Sequence, residues 1–172
     1  MVSIGLLVIA AVCAGWFGWR WNDSSNSSPT STVAATSQGA SSSQLVQTVL
    51  EQGEKDVQNF NTLSYRNLAQ GLSNWKNSST GTLRSETTSG WSAFAKQVSK
   101  LQTISTATIL DAALTSLNKQ NGTAGIIVAL QVTVKPAKGS AATKRSRLEG
   151  TLTRTSSGWK LSSLGEVPVG TS

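Results

Sequence analysis

Histidine does not occur in this chain of 172 residues, and cysteine occurs once. The first absence removes the side chain that most often moves protons near neutral pH, and with it the commonest metal ligand. The second excludes an internal disulfide and a cysteine-built metal cluster, since Cys13 has no partner and lies in an apolar N-terminal stretch. Charge is also sparse. Asp, Glu, Lys and Arg make up 13% of the chain, about half the share usual in soluble proteins, and Ser and Thr supply much of the remaining polarity. Eight acidic residues stand against 15 basic ones, a formal net charge of +7. That balance admits anionic partners such as phospholipid, nucleic acid or an acidic polymer, but it bears on association and solubility rather than on fold. No phosphate-cradling G-x-x-x-x-G-K-S/T loop is present. Nucleophilic catalysis would need a Ser/Lys pair, and no spacing singles one out. The expectation is a chain that is not an enzyme, with no cofactor and no metal.

What is present begins with a long apolar run. Residues Val2 to Trp19 (VSIGLLVIAAVCAGWFGW) contain no charged side chain. At 1.5 Å per residue a helix over them rises about 27 Å, close to a hydrocarbon core of about 30 Å. Trp16, Trp19 and Trp21 gather around Arg20 at its end, as an aromatic belt with a snorkelling cation does at a membrane interface. A cleaved signal peptide would carry a basic leader and a small-x-small cleavage site, and neither is evident. Residues 1–21 are therefore expected to be a transmembrane anchor. Residues 22–43 (NDSSNSSPTSTVAATSQGASSS) show no apolar periodicity and are expected to form a flexible tether, reaching roughly 26 Å as a coil.

From Gln44 onward (the expected domain, 44–172) the pattern is first helical. Val46, Val49, Leu50, Val57 and Phe60 fall near one face of a 3.6-residue period, interrupted by Gly53, with Glu51, Glu54 and Asp56 off that stripe. Ser64 is placed to cap a short second helix through Leu72, with Tyr65, Leu68, Ala69 and Leu72 inward. After a turn at 77–81, Leu83, Thr87, Trp91, Phe94, Val98 and Leu101 step by four, four, three, four and three, which predicts a third helix. From about Thr103 the period becomes two. Ser105–Leu110 and Ala112–Asn118 read as two strands around Asp111 or as one bent strand, with a helix still open for Ala112–Leu117. Asn121-Gly122 predicts a primed two-residue turn with positive φ at both positions. Ile126, Val128, Leu130, Val132 and Val134 then alternate with a second face that becomes polar, as in a sheet covered on one side. Strands over Arg145–Thr155 and Trp159–Val167 follow a basic loop at 136–144. Helices followed by hairpin-linked strands mean an α+β fold, with helices packed on a curved antiparallel sheet.

Three segments carry a family resemblance: Thr62–Leu68 (TLSYRNL), Gly125–Thr133 (GIIVALQVT) and Arg145–Val167. Together with the N-terminal anchor they resemble the Mce-associated membrane proteins of actinobacteria. That resemblance implies a cone-shaped, nuclear-transport-factor-two-like domain, shared with the periplasmic domains of type IV secretion and conjugation scaffolds. It further implies a single-pass protein of the cell membrane, its C-terminal domain extracytoplasmic, that stabilises or assembles an Mce-type lipid import complex through protein contacts. Nothing in composition or spacing points to lipid transport.

Two other functions compete: a conjugation or type IV secretion scaffold, and a small-ligand-binding or isomerase-like domain of the same fold. Isomerase chemistry needs a carboxylate base and acidic donors in an apolar pocket, for which Asp111, Asp56 and Tyr65 are the candidates; each is more simply read as a turn residue or part of a helix face. The basic residues Lys135, Lys138, Lys144, Arg145 and Arg147, extended by Arg154 and Lys160, are the candidate contact for an anionic lipid surface, weighed against a merely solvated face. Nucleic acid is disfavoured because stacking aromatics are not interleaved among them.

Overall fold

A computed structural model of the chain describes residues 37–167. The expected anchor, with Trp16, Trp19, Arg20 and Trp21, and most of the expected tether lie outside those residues. Among the described residues no helix is long and apolar enough to cross a membrane.

Three helices come first: α1 (Ser37–Asn61), α2 (Leu68–Ser78) and α3 (Gly81–Leu101). A two-residue strand, β1 (Leu63–Ser64), and a 3-10 turn (Tyr65–Asn67) separate α1 from α2. A meander of β2 (Ile104–Asn118), β3 (Thr123–Lys135), β4 (Ala142–Thr155) and β5 (Gly158–Glu166) follows. All neighbours pair antiparallel, in the order β1-β2-β3-β4-β5. The α+β expectation, helices on an antiparallel sheet, describes this architecture.

The period-two pattern of β3 places Ala124, Ile126, Val128 and Leu130 in the core, each 1% exposed or less. Val49 and Val57 of α1, Leu148 and Leu152 of β4, and Trp159 and Leu161 of β5 complete that cluster. Burying a side chain of this kind contributes about 1.5–3 kcal/mol, so the α1-to-sheet contact is the main adhesive of the fold. Gly53 lets the two surfaces approach. A methyl there would stand 2.6 Å from Ile126 Cδ1 and 2.9 Å from Leu152 Cδ1, so the glycine that interrupts the helical pattern marks the point of closest contact. A second cluster joins Leu63, Trp75 and Val98, with Phe60, Tyr65, Leu68, Trp91 and Phe94 packed against it. Trp75 stacks on Phe60 with ring centroids 5.5 Å apart and meets Trp91 edge-on at 5.2 Å. Its indole N–H donates to the Asn59 carbonyl at 3.1 Å.

Several local expectations change. The first helix begins at Ser37, inside the tract expected to be tether. Ser64 caps the 3-10 turn by accepting from Arg66 N–H, and Asn67 caps α2, which runs on to Ser78 rather than stopping near Leu72. Trp75 explains the extension, since it can reach the second cluster only from a continued helix. The stretch 104–118 is one strand. Its register skips Leu110 between Ile109 and Asp111, a bulge that keeps both Ile109 and Ala112 on the helix side; no helix forms at Ala112–Leu117. At the following hairpin only Gly122 has positive φ, +62°. Asn121 instead donates its N–H to Asn118 Oδ1 at 2.9 Å, so the connection is a four-residue loop closed by a left-handed glycine rather than the primed two-residue turn.

Candidate interaction surface

The residues with reactive potential do not converge. Tyr65 lies in the 3-10 turn on the helical side, where its hydroxyl accepts from Arg66 Nε at 3.2 Å. Asp111 sits at the β2 bulge, exposed, with Oδ1 accepting from Ala112 N–H at 2.9 Å. Its register partner is Ala129, whose side chain points away from the buried neighbours Val128 and Leu130. Asp111 therefore belongs to the sheet face opposite the helices, and Tyr65 and Asp111 do not share a pocket.

Asp56 is the surprise. The helical reading set it off the apolar stripe, yet it is 1% exposed. Val49, Gly53, Asp56 and Phe60 step by four, three and four, one face of a helix; a stripe drawn through Gly53 would have included the acid. Oδ1 accepts from Gln52 Nε2 at 2.8 Å, while Oδ2 is buried without a hydrogen-bond partner. Burial pushes the carboxyl up to about 6, with Ser78, Gln52 and the charges of Lys160 and Lys55 pulling it partly back. Among the described residues no group of three or more potential ligands could hold a metal.

The nominated basic residues are divided by the pleat. Lys135, Arg145 and Arg147 align with the outer face, by register with Ile104, Gln131 and Ala129. Lys144 pairs across from Val132, on the helix side, and donates to Glu166 Oε1 at 2.9 Å, which holds Glu166 below the usual carboxylate range. Lys138 is in the loop between β3 and β4, exposed. Only part of the set shares a surface.

That surface reads in rows across β2, β3 and β4: Thr106–Thr133–Thr143, Thr108–Gln131–Arg145, Asp111–Ala129–Arg147 and Ala113–Ile127–Glu149. Within it, Thr133 and Thr143 hydroxyls share a hydrogen bond at 3.1 Å, and Arg145 Nε donates to Gln131 Oε1 at 3.3 Å. A shallow depression lies at its centre, lined by Asp111, Ala112, Ala113, Ile127, Ala129 and Arg147. A second open groove follows the flank of α3, where Trp91 adjoins Ala95, Lys96 and Lys100. Both shapes are open rather than enclosed, and each sets charged side chains beside apolar ones, the groove along α3 being the more apolar.

Comparison with solved structures shows where this fold recurs. An IcmL-like type IV secretion system protein from Legionella pneumophila superposes with a TM-score of 0.59 at 15% identity, over 76% of this chain and 94% of that one. The periplasmic domain of DotI gives 0.59 at 13% identity, over 70% and 94%. CagV, a VirB8 homologue of the type IV secretion system of Helicobacter pylori strain 26695, gives 0.56 at 9% identity, over 72% and 99%. The chain shares its fold with these domains. No family model and no curated protein matches the chain.

The resemblance to Mce-associated proteins is thereby overturned, because the solved structures that superpose include an IcmL-like type IV secretion system protein and a VirB8 homologue of such a system rather than Mce-associated proteins. With it fall the Mce-type lipid import role and the actinobacterial source. The physical reason is plain: Thr62–Leu68, Gly125–Thr133 and Arg145–Val167 form the 3-10 turn, the central strand and the closing hairpin. Those are elements any protein of this architecture must have, and they do not separate one family from another.

Proposed function

We propose that the domain is a non-enzymatic scaffold of a type IV secretion or conjugation apparatus, held outside the cytoplasmic membrane by the apolar segment at residues 1–21 and working through contacts with other proteins of a membrane complex. The observation that carries this reading is the match of fold to secretion-system domains over 94–99% of their lengths. The separation of Tyr65, Asp111 and Asp56 onto different elements and faces supports it against an isomerase-like site. Crosslinking of the full chain in native membranes, followed by mass spectrometry, tests it. Secretion-system components in the crosslinked material, together with loss of DNA or protein transfer on deletion, are expected. Crosslinks to unrelated envelope proteins with transfer intact would refute it.

A further inference from the structure

Lys119, in the turn between β2 and β3, donates from Nζ to Ser42 Oγ at 2.8 Å, so the first turns of α1 stand beside that turn. Arg154 adjoins it. Its backbone N–H donates to the Gly122 carbonyl at 2.8 Å, and a methyl on Gly122 would stand 3.0 Å from Arg154 Cβ. Lys160 joins the same end of the sheet through its pairing with Thr153, which itself lies opposite Thr123. Residues 37–50, 117–125 and 150–162, which build this end, hold those three cations and no acidic side chain. Lys119 and Arg154 are exposed, as are the neutral Gln120, Asn121, Ser156 and Ser157 of the two turns.

We propose that this end of the domain rests on the anionic phospholipid surface of the membrane in which the chain is anchored. The contact rests on the proposed anchor at residues 1–21. Between that anchor and Ser37 lie residues 22–36, which as a coil reach roughly 21 Å. The basic residues that sequence alone offers to lipid sit elsewhere. β3 spans 13 residues from Thr123 to Lys135, about 40 Å at about 3.4 Å per step, so Lys135 and Lys138 stand at the far end. Bringing them to the bilayer would carry the start of α1 about 40 Å from it, roughly twice the reach of the coil. Lipid charge is felt within a Debye length, about 8 Å at physiological salt, so far-end cations add nothing to a contact made at the near end. Within that layer each cation raises occupancy roughly fivefold, and no carboxylate at this end offsets it. The bond from Lys119 to Ser42 is exposed and exchanges for a phosphate oxygen without leaving a buried group unpaired.

The test uses the full chain, with Cys13→Ser as background, reconstituted in vesicles of phosphatidylcholine alone or mixed with phosphatidylglycerol. Asn121→Cys carries a fluorescent label at the near end and keeps the bond to Asn118, which Asn121 makes through its backbone N–H. Ala137→Cys carries the same label in the exposed loop at the far end. Lipids with a nitroxide on the headgroup should quench Asn121→Cys strongly in the mixed vesicles, and less in phosphatidylcholine alone or at high salt. The label at Ala137→Cys should stay bright throughout. Lys119→Gln with Arg154→Gln should lower the ratio of docked to undocked domain roughly 25-fold, and the pairing of Gly122 survives because the Arg154 backbone makes it. Lys135→Gln with Lys138→Gln, the same loss of charge at the far end, should leave quenching unchanged. Equal quenching at the two labels, quenching indifferent to phosphatidylglycerol, or an equal effect of the far-end pair would each overturn the contact. Extraction with alkaline carbonate reads the anchor separately. Release of the chain defeats the reading of residues 1–21 and this contact with it, whereas a retained chain with an unquenched label at Asn121→Cys defeats the contact alone.

Discussion

Replacing Asp56 with Asn should stabilise the protein at neutral pH and leave it unchanged in acid. The carboxyl is 1% exposed and offers Oδ2 no hydrogen-bond donor, so its charged form is disfavoured in the folded state. In the unfolded chain it ionises near 3.8, in the folded chain at about 6. Below the lower value both states hold the proton and the group costs nothing. As pH rises through the window between the two, the unfolded state releases its proton first, and stability falls until the folded state also ionises; above that it stays low. Each tenfold difference in proton affinity is worth about 1.4 kcal/mol, so the loss across the window is about 3 kcal/mol. Asn keeps an oxygen to accept from Gln52 Nε2 and carries no charge to bury. Denaturant melts of wild type and Asp56→Asn, followed by fluorescence of the buried Trp75 and Trp159, give the difference between the proteins at each pH and cancel the other titrating groups. A difference that grows from near zero at about pH 3, below both values, to about 3 kcal/mol at pH 7 is expected. A difference that is flat with pH, or that favours wild type at pH 7, would refute the reasoning.

Three further substitutions probe other contacts. Gly53→Val drives a branched side chain into Ile126 and Leu152, which a methyl already approaches to 2.6 and 2.9 Å; denaturant melts should show a loss of about 2–3 kcal/mol. Gln102 closes α3 in a left-handed conformation, φ +48°, a geometry costing a non-glycine residue roughly 1–2 kcal/mol. Gln102→Gly should therefore raise stability by about 0.5–1 kcal/mol, visible as a higher melting temperature. Lys144→Ala breaks an ion pair whose side chains are 48% and 46% exposed, and equilibrium unfolding should change by less than about 1 kcal/mol.

The parts of the fold that were legible from sequence are those where one side of an element is apolar with at most one exception, Thr87 in α3. β3 alternates without a break from Ala124 to Leu130, and α3 holds its 3.6-residue stripe from Leu83 to Val98, so both were foreseen nearly to their bounds. The misreadings arose where tertiary contact overrode local preference. Ser-rich residues before Gln44 have weak helical propensity, yet they continue a helix anchored downstream by Val49 and Val57. Leu110 broke the alternation of β2 because a bulge consumed one residue, which no periodicity count can assign to a strand or a turn. Asp56 was missed because polar residues are excluded from an apolar stripe by construction, although Gly53 beside it already pointed to the helix's closest approach. The outer-face row could not be read at all, since the pairing of Asp111 with Ala129 and of Ala129 with Arg147 depends on strand register.

Asp56 also tests the claim that the domain performs no chemistry. A carboxyl held partly neutral by an apolar setting is the pattern expected of an active-site acid, and it is the strongest such group among the described residues. An acid must reach its substrate, however, and at 1% exposure Asp56 is closed off on the buried face of α1, with Gln52 on one oxygen and Ser78 beside it. Asn59 Nδ2 in turn donates to Ser78 Oγ at 2.9 Å, so the acid belongs to a polar seam joining α1 to the end of α2. Ser79, next along, forms the bridge to Leu161 that fastens α2 to the edge of the sheet. An acid used for catalysis would lose activity on becoming Asn, whatever the stability gained. An acid that only spans a helical seam would not, and Asp56→Asn should therefore retain the full set of crosslinked membrane partners and unimpaired transfer while melting later at neutral pH.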